Sequence, residues 1–320
     1  MAPIPPHARE IEETNGFLSS LPLTEDWILP LRLYQSFWLY EPHIPHVIAA
    51  QHQVSFTPRP SDVILSTFPK CGTTWLKALA FAVMNRSVYA FSDHPLLSKN
   101  PHECVPYLEI PLKRDAAVFD FEKLPSPRLL ATHMPYSMLP ASVAGSDCKV
   151  IYLCREPKDT FVSLWHFHKM LDVEIELGPA FDLFCDGVSL NGPFWDHVLD
   201  YWKESLKRPD KVLFLKYEEM LTDTTYAVRK LAKYMGCPFS SEEEKDGVVE
   251  EVAKLCSFKK LTGLEVNKDK DERTGKVVLT NASFFRKGEV GDWSNHLSPQ
   301  MGKKLDSIVK HKCGDSGLTF

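Results

Sequence analysis

The segment Thr67-Phe-Pro-Lys-Cys-Gly-Thr-Thr-Trp75 joins a short run rich in β-branched residues, Val63-Ile-Leu-Ser-Thr-Phe68, to a stretch of good helix formers, Trp75-Leu-Lys-Ala-Leu-Ala-Phe-Ala-Val-Met84. A strand that turns into a helix in this way gathers backbone N–H groups and a helix N-terminus at one point, where they converge on an anion. Gly72 lets the backbone approach phosphate oxygens, Lys70 brings a point charge, and the Thr73 and Thr74 hydroxyls donate hydrogen bonds. Trp75 either stacks on a nucleobase or packs. The lysine precedes the glycine and the first glycine of G-x-x-x-x-G-K-[ST] is missing, which disfavours a Mg²⁺-dependent nucleotide triphosphatase. On these nine residues alone an ordinary strand-to-helix turn, with Gly for geometry and Thr as a cap, remains open.

Two further runs have the same character. Lys149-Val-Ile-Tyr-Leu-Cys154 and Lys211-Val-Leu-Phe-Leu-Lys216 are apolar without alternation, as buried strands of a parallel sheet are, and each is followed by a helical pattern. After the first of them, Pro157 suits an opening helical turn that runs into Thr160 to Leu171. Strands alternating with helices predict one α/β domain, a central parallel sheet flanked by helices with a phosphate-binding strand-loop-helix. Residues 1–26, rich in Pro, Glu and Ser, read as a loosely held arm before a domain over 27–320. Glu242 to Leu255 reads as helix, and Asn267 to Gly275 as an exposed mobile loop.

Composition narrows the function classes. With 44% hydrophobic and 25% charged residues in 320, the chain is globular, and a net charge of −5 argues against a dedicated nucleic-acid binder. An anionic ligand therefore needs a local basic site. The eight cysteines form no C-x-x-C pair, zinc spacing or compact disulfide framework, so they read as reduced thiols in a cytoplasmic protein. Neither a signal-peptide core nor a membrane-length apolar run is present.

P-K-x-G-T-T-W after a strand closely resembles the 5′-phosphosulfate loop of the cytosolic sulfotransferases. Three more segments resemble that family in the right order: Leu129-Leu-Ala-Thr-His-Met-Pro-Tyr136 its catalytic T-H-x-P segment, Cys154-Arg-Glu-Pro-Lys-Asp-Thr-Phe-Val-Ser163 its 3′-phosphate segment, and Phe285-Arg-Lys-Gly-Glu-Val-Gly-Asp-Trp293 its C-terminal signature. The likeness covers nearly the whole chain, and the wording is most similar to the plant flavonol and steroid sulfotransferases.

What the resemblance implies is an in-line transfer of a sulfuryl group from 3′-phosphoadenosine 5′-phosphosulfate (PAPS) to a hydroxyl of a small hydrophobic acceptor, releasing adenosine 3′,5′-bisphosphate (PAP) without a metal. It implies His133 as general base and Lys70 as the cation at the bridging oxygen, with Cys71, Gly72, Thr73, Thr74 and Trp75 completing the cradle. Arg155 and Ser163 would hold the 3′-phosphate, and Arg286, Lys287 and Gly288 would close over it. Trp75, Tyr217 and Phe258 would surround the adenine. The family usually offers threonine where Cys256 stands, so the bond expected there weakens or moves to Ser257. Animal members carry a lysine where Ala131 stands, which leaves Lys70 as the main side-chain charge.

Phe37, Trp38, Tyr40, Tyr136, Phe167 and Phe284 would make an apolar acceptor cavity. Flavonols, steroids and other phenols or alcohols all fit such a cavity. The stretch Ser294 to Met301 departs from the animal dimer motif, which favours a monomer over a homodimer. A phosphoryl-transfer enzyme and a catalytically silent carrier of the same fold are the rival classes, the first needing Mg²⁺ and the second transferring nothing.

Overall fold

The computed structural model describes residues 16–27, 29–53, 56–110, 121–170, 175–268 and 280–320. Leu23–Thr24 (β1), Leu31–Tyr34 (β2) and Phe37–Tyr40 (β3) form an antiparallel sheet in which Leu23 faces Arg32 and Tyr34 faces Phe37. The β2–β3 turn has two residues, Gln35 at φ 49° and Ser36 at φ 70°, the pairing of positive angles whose twist matches the flanking strands. This sheet corrects the expected arm. Leu18 is buried and Leu21 packs on the core, so the chain is tied down from well before residue 26; residues 1–15 of that expectation lie outside the described residues.

The sheet that positions the site is parallel, in the order β5–β4–β6–β7, with Val63–Thr67 (β4), Leu129–Thr132 (β5), Lys149–Cys154 (β6) and Val212–Lys216 (β7). Leu65 sits opposite Ala131 on one side and Ile151 on the other. All five residues of β4 are buried because both faces are covered. Alternation then sorts side chains between two cores: Ile64, Leu130 and Val150 into one, and Leu65, Ala131 and Ile151 into the other. The helix Thr73–Asn85 covers the second face with Leu76, Leu79 and Val83, and the helix Phe194–Lys207 covers the first with Trp195, Val198 and Tyr201.

This order makes β4 the point where the topology reverses. The chain goes from β4 to β5 on one side and then crosses to β6 on the other, which opens a crevice beyond the carboxyl ends of the strands. All four strands deliver a site residue there: Lys70 after β4, His133 after β5, Arg155 after β6 and Tyr217 after β7.

The three strands expected from sequence are present, and Pro157–Lys169 forms the expected helix with Pro157 in its first turn. Leu129–Thr132, read only as a catalytic segment, is also a strand. The helix expected over Glu242–Leu255 is two, Ser241–Lys245 and Val248–Leu255, parted by Gly247 at φ 72°. Most of the loop expected over Asn267–Gly275 lies outside the described residues, but Asn267 itself is buried and accepts a hydrogen bond from Asn100 at 2.8 Å. Among the described residues no helix is long and apolar enough to cross a membrane, and all eight cysteines are free thiols.

Candidate active site

Beyond Thr67 the chain turns through Lys70 at φ 69° and Gly72 at φ 98° into the helix Thr73–Asn85. A left-handed conformation costs a lysine about 1–2 kcal/mol, the kind of local strain that collects at functional sites. Gly72 is the N-cap of this helix and offers no side chain, so the first-turn N–H groups are left for a ligand. A Cβ at Gly72 would lie 2.8 Å from Cδ2 of Tyr217, so no larger residue fits without displacing that ring. The Lys70 ammonium rests 4.0 Å from the ring centre of Phe167. Burial, reinforced by Arg155 and Arg286, pushes its pKa down to about 7, an environment that an anion would relieve.

His133 follows β5, beside this cradle. Its Nδ1 is 2.8 Å from the carbonyl oxygen of Thr67, an acceptor only, so Nδ1 carries the proton and Nε2 holds the lone pair. Nε2 is met by the Tyr107 hydroxyl at 3.2 Å. The His133 backbone is fixed as well: its N–H donates to Glu109 at 2.6 Å, and its carbonyl accepts from Asn191 at 3.1 Å and His197 at 2.9 Å. Burial drives the imidazole pKa down to about 3, against the opposing effect of the Thr67 hydrogen bond, so the ring is neutral with its lone pair at Nε2. The Thr67 hydroxyl, 2.6 Å from that of Thr73, ties this base to the cradle.

A second cationic cluster lies across the crevice. Arg155 donates to the Glu289 carbonyl at 2.7 Å and stacks over Tyr217, while its Nε is buried without a hydrogen-bond partner. Ser163 stands on the helix Pro157–Lys169, facing the same space. Arg286 and Lys287 both pair with Asp292, and Asp159 accepts from the Gly291 N–H at 2.7 Å and the Trp293 N–H at 2.9 Å, which pins this segment to the helix. Gly288 has φ 69°, and a Cβ there would meet the Phe258 ring at 2.6 Å.

One cavity of about 1590 Å³ joins the cradle, His133 and the second cluster. A single small ligand fills roughly 300–1,000 Å³, so the space accommodates two.

Residues 60–317 match the model of the sulfotransferase domain. Cytosolic sulfotransferase 5 of Arabidopsis thaliana is 46% identical over 317 residues, 97% of each chain. The chain belongs to the sulfotransferase family. The fold agrees: a crystal structure of an Arabidopsis thaliana protein described as a candidate steroid sulphotransferase is 38% identical with a TM-score of 0.77, covering 100% of this chain and 99% of that one. A mouse sulfotransferase crystallised with PAP is 27% identical with a TM-score of 0.68, covering 89% and 95%.

The sulfotransferase uses PAPS as donor and yields PAP. Its own residues fit that nucleotide in three respects: the cradle a Cβ would fill at Gly72, the close approach at Gly288, and the orphaned Nε of Arg155. Among the described residues no group of three His, Cys, Asp or Glu side chains is arranged to hold a metal ion.

Most of the residues expected at the site line the cavity. Lys70, Gly72, Thr73, Thr74 and Trp75 do so at the cradle, and Arg155, Ser163, Arg286, Lys287 and Gly288 at the second cluster. Tyr217, Ser257 and Phe258 lie near them, with the Trp75 and Tyr217 rings edge to face at 5.4 Å. Tyr40, Phe167 and Phe284 line the acceptor end.

Five expected residues do not reach the cavity. The Cys71 thiol is fully buried 3.5 Å from the Thr160 hydroxyl, and its backbone N–H is committed to Phe68. Cys256 is buried in the core with its N–H bonded to Val252, and Ser257 is the residue that reaches the space. Phe37 is buried edge-on to His197, on the core side of β3. Trp38 packs on the same core, and its backbone holds Gly192 and Asn191. Tyr136 sits against Tyr201, its hydroxyl accepting from Arg208 at 2.5 Å.

Residues missed by sequence reasoning gather around the base: Tyr107, Glu109 and His102 from one ten-residue run, Lys77 from the cradle helix, and Asn191 and His197 from beyond it. The signal was the density of polar groups in Asn100-Pro-His-Glu-Cys-Val-Pro-Tyr-Leu-Glu109.

Proposed function

We propose that this sulfotransferase transfers the sulfuryl group to a hydroxyl of a small hydrophobic acceptor, with His133 as general base. The observation that carries the reading is the tautomer of His133. Thr67 holds the proton on Nδ1, leaving the Nε2 lone pair 3.2 Å from a hydroxyl, that of Tyr107, within the cavity that contains the cradle. When bound, PAPS supplies the sulfuryl group: the acceptor O–S bond forms as the S–O bond to the departing PAP breaks. The acceptor proton goes to His133 Nε2. Lys70 and the free N–H groups of the cradle meet the charge that develops on the leaving oxygen.

Tyr40, Phe167, Phe284, Leu39 and Val47 give the acceptor end a flat apolar character, which suits a phenol, flavonoid or steroid. The likeness to the Arabidopsis thaliana candidate steroid sulphotransferase supports the same class. The names of the cytosolic relatives support a cytoplasmic location, and we propose that the chain acts as a monomer; light scattering tests the latter. A panel of phenolic and alcoholic acceptors with labelled PAPS tests the activity. Labelled product with at least one of them is expected, and nucleotide binding without product from any would overturn the reading in favour of a silent carrier.

A further inference from the structure

Lys77, on the cradle helix one turn beyond Thr73, is fully buried, and among the described residues no carboxylate lies within ion-pair distance of it. Burial works against a charge on this lysine and the nearby Glu109 works in its favour, so its partners matter. The Lys77 Nζ donates to the Val105 carbonyl at 2.9 Å, lies 3.1 Å from His102 Nδ1, and sits 3.3 Å above the Tyr107 ring, the place of a cation over an aromatic face. Burial lowers the Lys77 pKa well below the usual lysine range, with Glu109 opposing the shift; in its ammonium form it has donors only, so His102 then accepts at Nδ1 and carries its proton on Nε2. That Nε2 is 3.0 Å from the Thr74 hydroxyl oxygen. Thr74 therefore accepts there, which leaves its own proton free to point elsewhere, and Thr74 lines the cavity.

We propose that Lys77 and His102 are positioning residues for sulfuryl transfer: a one-way chain from Lys77 Nζ–H to His102 Nδ1, and from His102 Nε2–H to Thr74 Oγ1, aims the Thr74 hydroxyl proton into the cradle. In its ammonium form Lys77 thereby polarises a donor at the reacting end without touching substrate. The chain supplies charge where position 131 supplies none, since Ala131 is buried in β5. Burial and the neighbouring Lys77 hold His102 neutral, with its pKa far below the usual histidine range. The proposal rests on the cradle being the sulfuryl-transfer site.

Two measurements test it. Spectra of the ¹⁵N-histidine-labelled protein with PAP should give the Nε2–H tautomer for His102; an Nδ1–H tautomer overturns the chain, since the chain needs the lone pair on Nδ1 and the proton on Nε2. With the acceptor that wild type uses best, Lys77→Met should lower kcat about 10- to 100-fold, while calorimetry gives a PAP affinity within about threefold of wild type. Unchanged kcat in folded Lys77→Met protein overturns the proposal. His102→Gln, which can both accept and donate, should keep several times more turnover than His102→Leu, and equal turnover in the two would also overturn it. Should Lys77→Met not fold, the His102 pair and the tautomer still decide. If wild type labels no acceptor, the functional reading fails while the tautomer still judges the chain.

Discussion

The carbonyl oxygen of Thr67 holds Nδ1 of His133 at 2.8 Å, and the hydroxyl of the same threonine lies 2.6 Å from that of Thr73. The last residue of β4 thus fixes both the tautomer of the base and the first turn of the anion cradle. The proposed base and the anion cradle are held in register by one strand end, at the crevice where the sheet order reverses.

His133→Ala should lower turnover by on the order of 10²-fold or more while leaving PAP affinity within about threefold, because the base acts on the acceptor proton and not on the nucleotide. Steady-state rates with labelled PAPS, set beside calorimetric PAP titrations, check this. Turnover close to wild type would remove His133 from the mechanism.

Acid should destabilise the fold before it protonates the base. Burial lowers His133 and His168 to about 3, His43, His166 and His197 to about 4, and His102 well below the usual range, so below the unfolded value near 6.5 the unfolded chain takes up at least six protons that the native state refuses. Glu109 and Glu156, raised by burial to about 7, act the other way, since the native state holds two protons that the unfolded chain releases down to about pH 4.3. The two carboxyls offset only part of the histidine effect, and the histidines win below pH 6.5. Thermal melts should therefore fall steadily from pH 6.5 to 4.5; an equal Tm at pH 5 and pH 7 would contradict this.

What the sequence made legible were features written in consecutive residues. The β-branched run before Lys70, Gly72 at a turn that needs a positive φ, and Pro157 at a helix start each carry their own local signal. Lys77 does not, because on an apolar helix a lysine reads as a solvated position until the fold closes Val105, His102 and Tyr107 around it. The aromatics divide for a similar reason. Phe37 and Tyr40 belong to one strand, and only its pairing decides which ring faces the core and which the cavity. Tyr136 follows His133 closely, yet the turn after Pro135 carries it to Tyr201 and Arg208.

Gly72→Ala should damage both folding and nucleotide binding. The added Cβ would lie 2.8 Å from Tyr217 and 3.2 Å from Leu153 at a φ of 98°, so the substitution combines left-handed strain of about 1–2 kcal/mol with displacement of a ring beside the cradle. We expect a Tm several degrees lower and a PAP affinity weakened at least about tenfold. Gly178→Ala is the control. It lies on the exposed first turn of the helix Leu177–Cys185 with nothing within 4 Å of the new Cβ, and should leave the Tm unchanged or slightly higher. Equal behaviour of the two variants would show that the cradle tolerates a side chain at Gly72.

Lys70 should bind a proton when PAP binds. In the free protein burial and the cations Arg155 and Arg286 lower its pKa to about 7, so at pH 8 most molecules carry a neutral amine. A phosphate brought to the cradle reverses the electrostatic balance, favouring the ammonium and raising the pKa in the complex. The sign follows: the bound form holds a proton that the free form has lost, so PAP affinity should fall as pH rises from 7 toward 9. Calorimetry at pH 8 in two buffers of different ionisation enthalpy should report net proton uptake, and Lys70→Met should abolish the uptake as well as weaken binding. Proton uptake that persists in Lys70→Met would assign it to another group and leave Lys70 charged throughout.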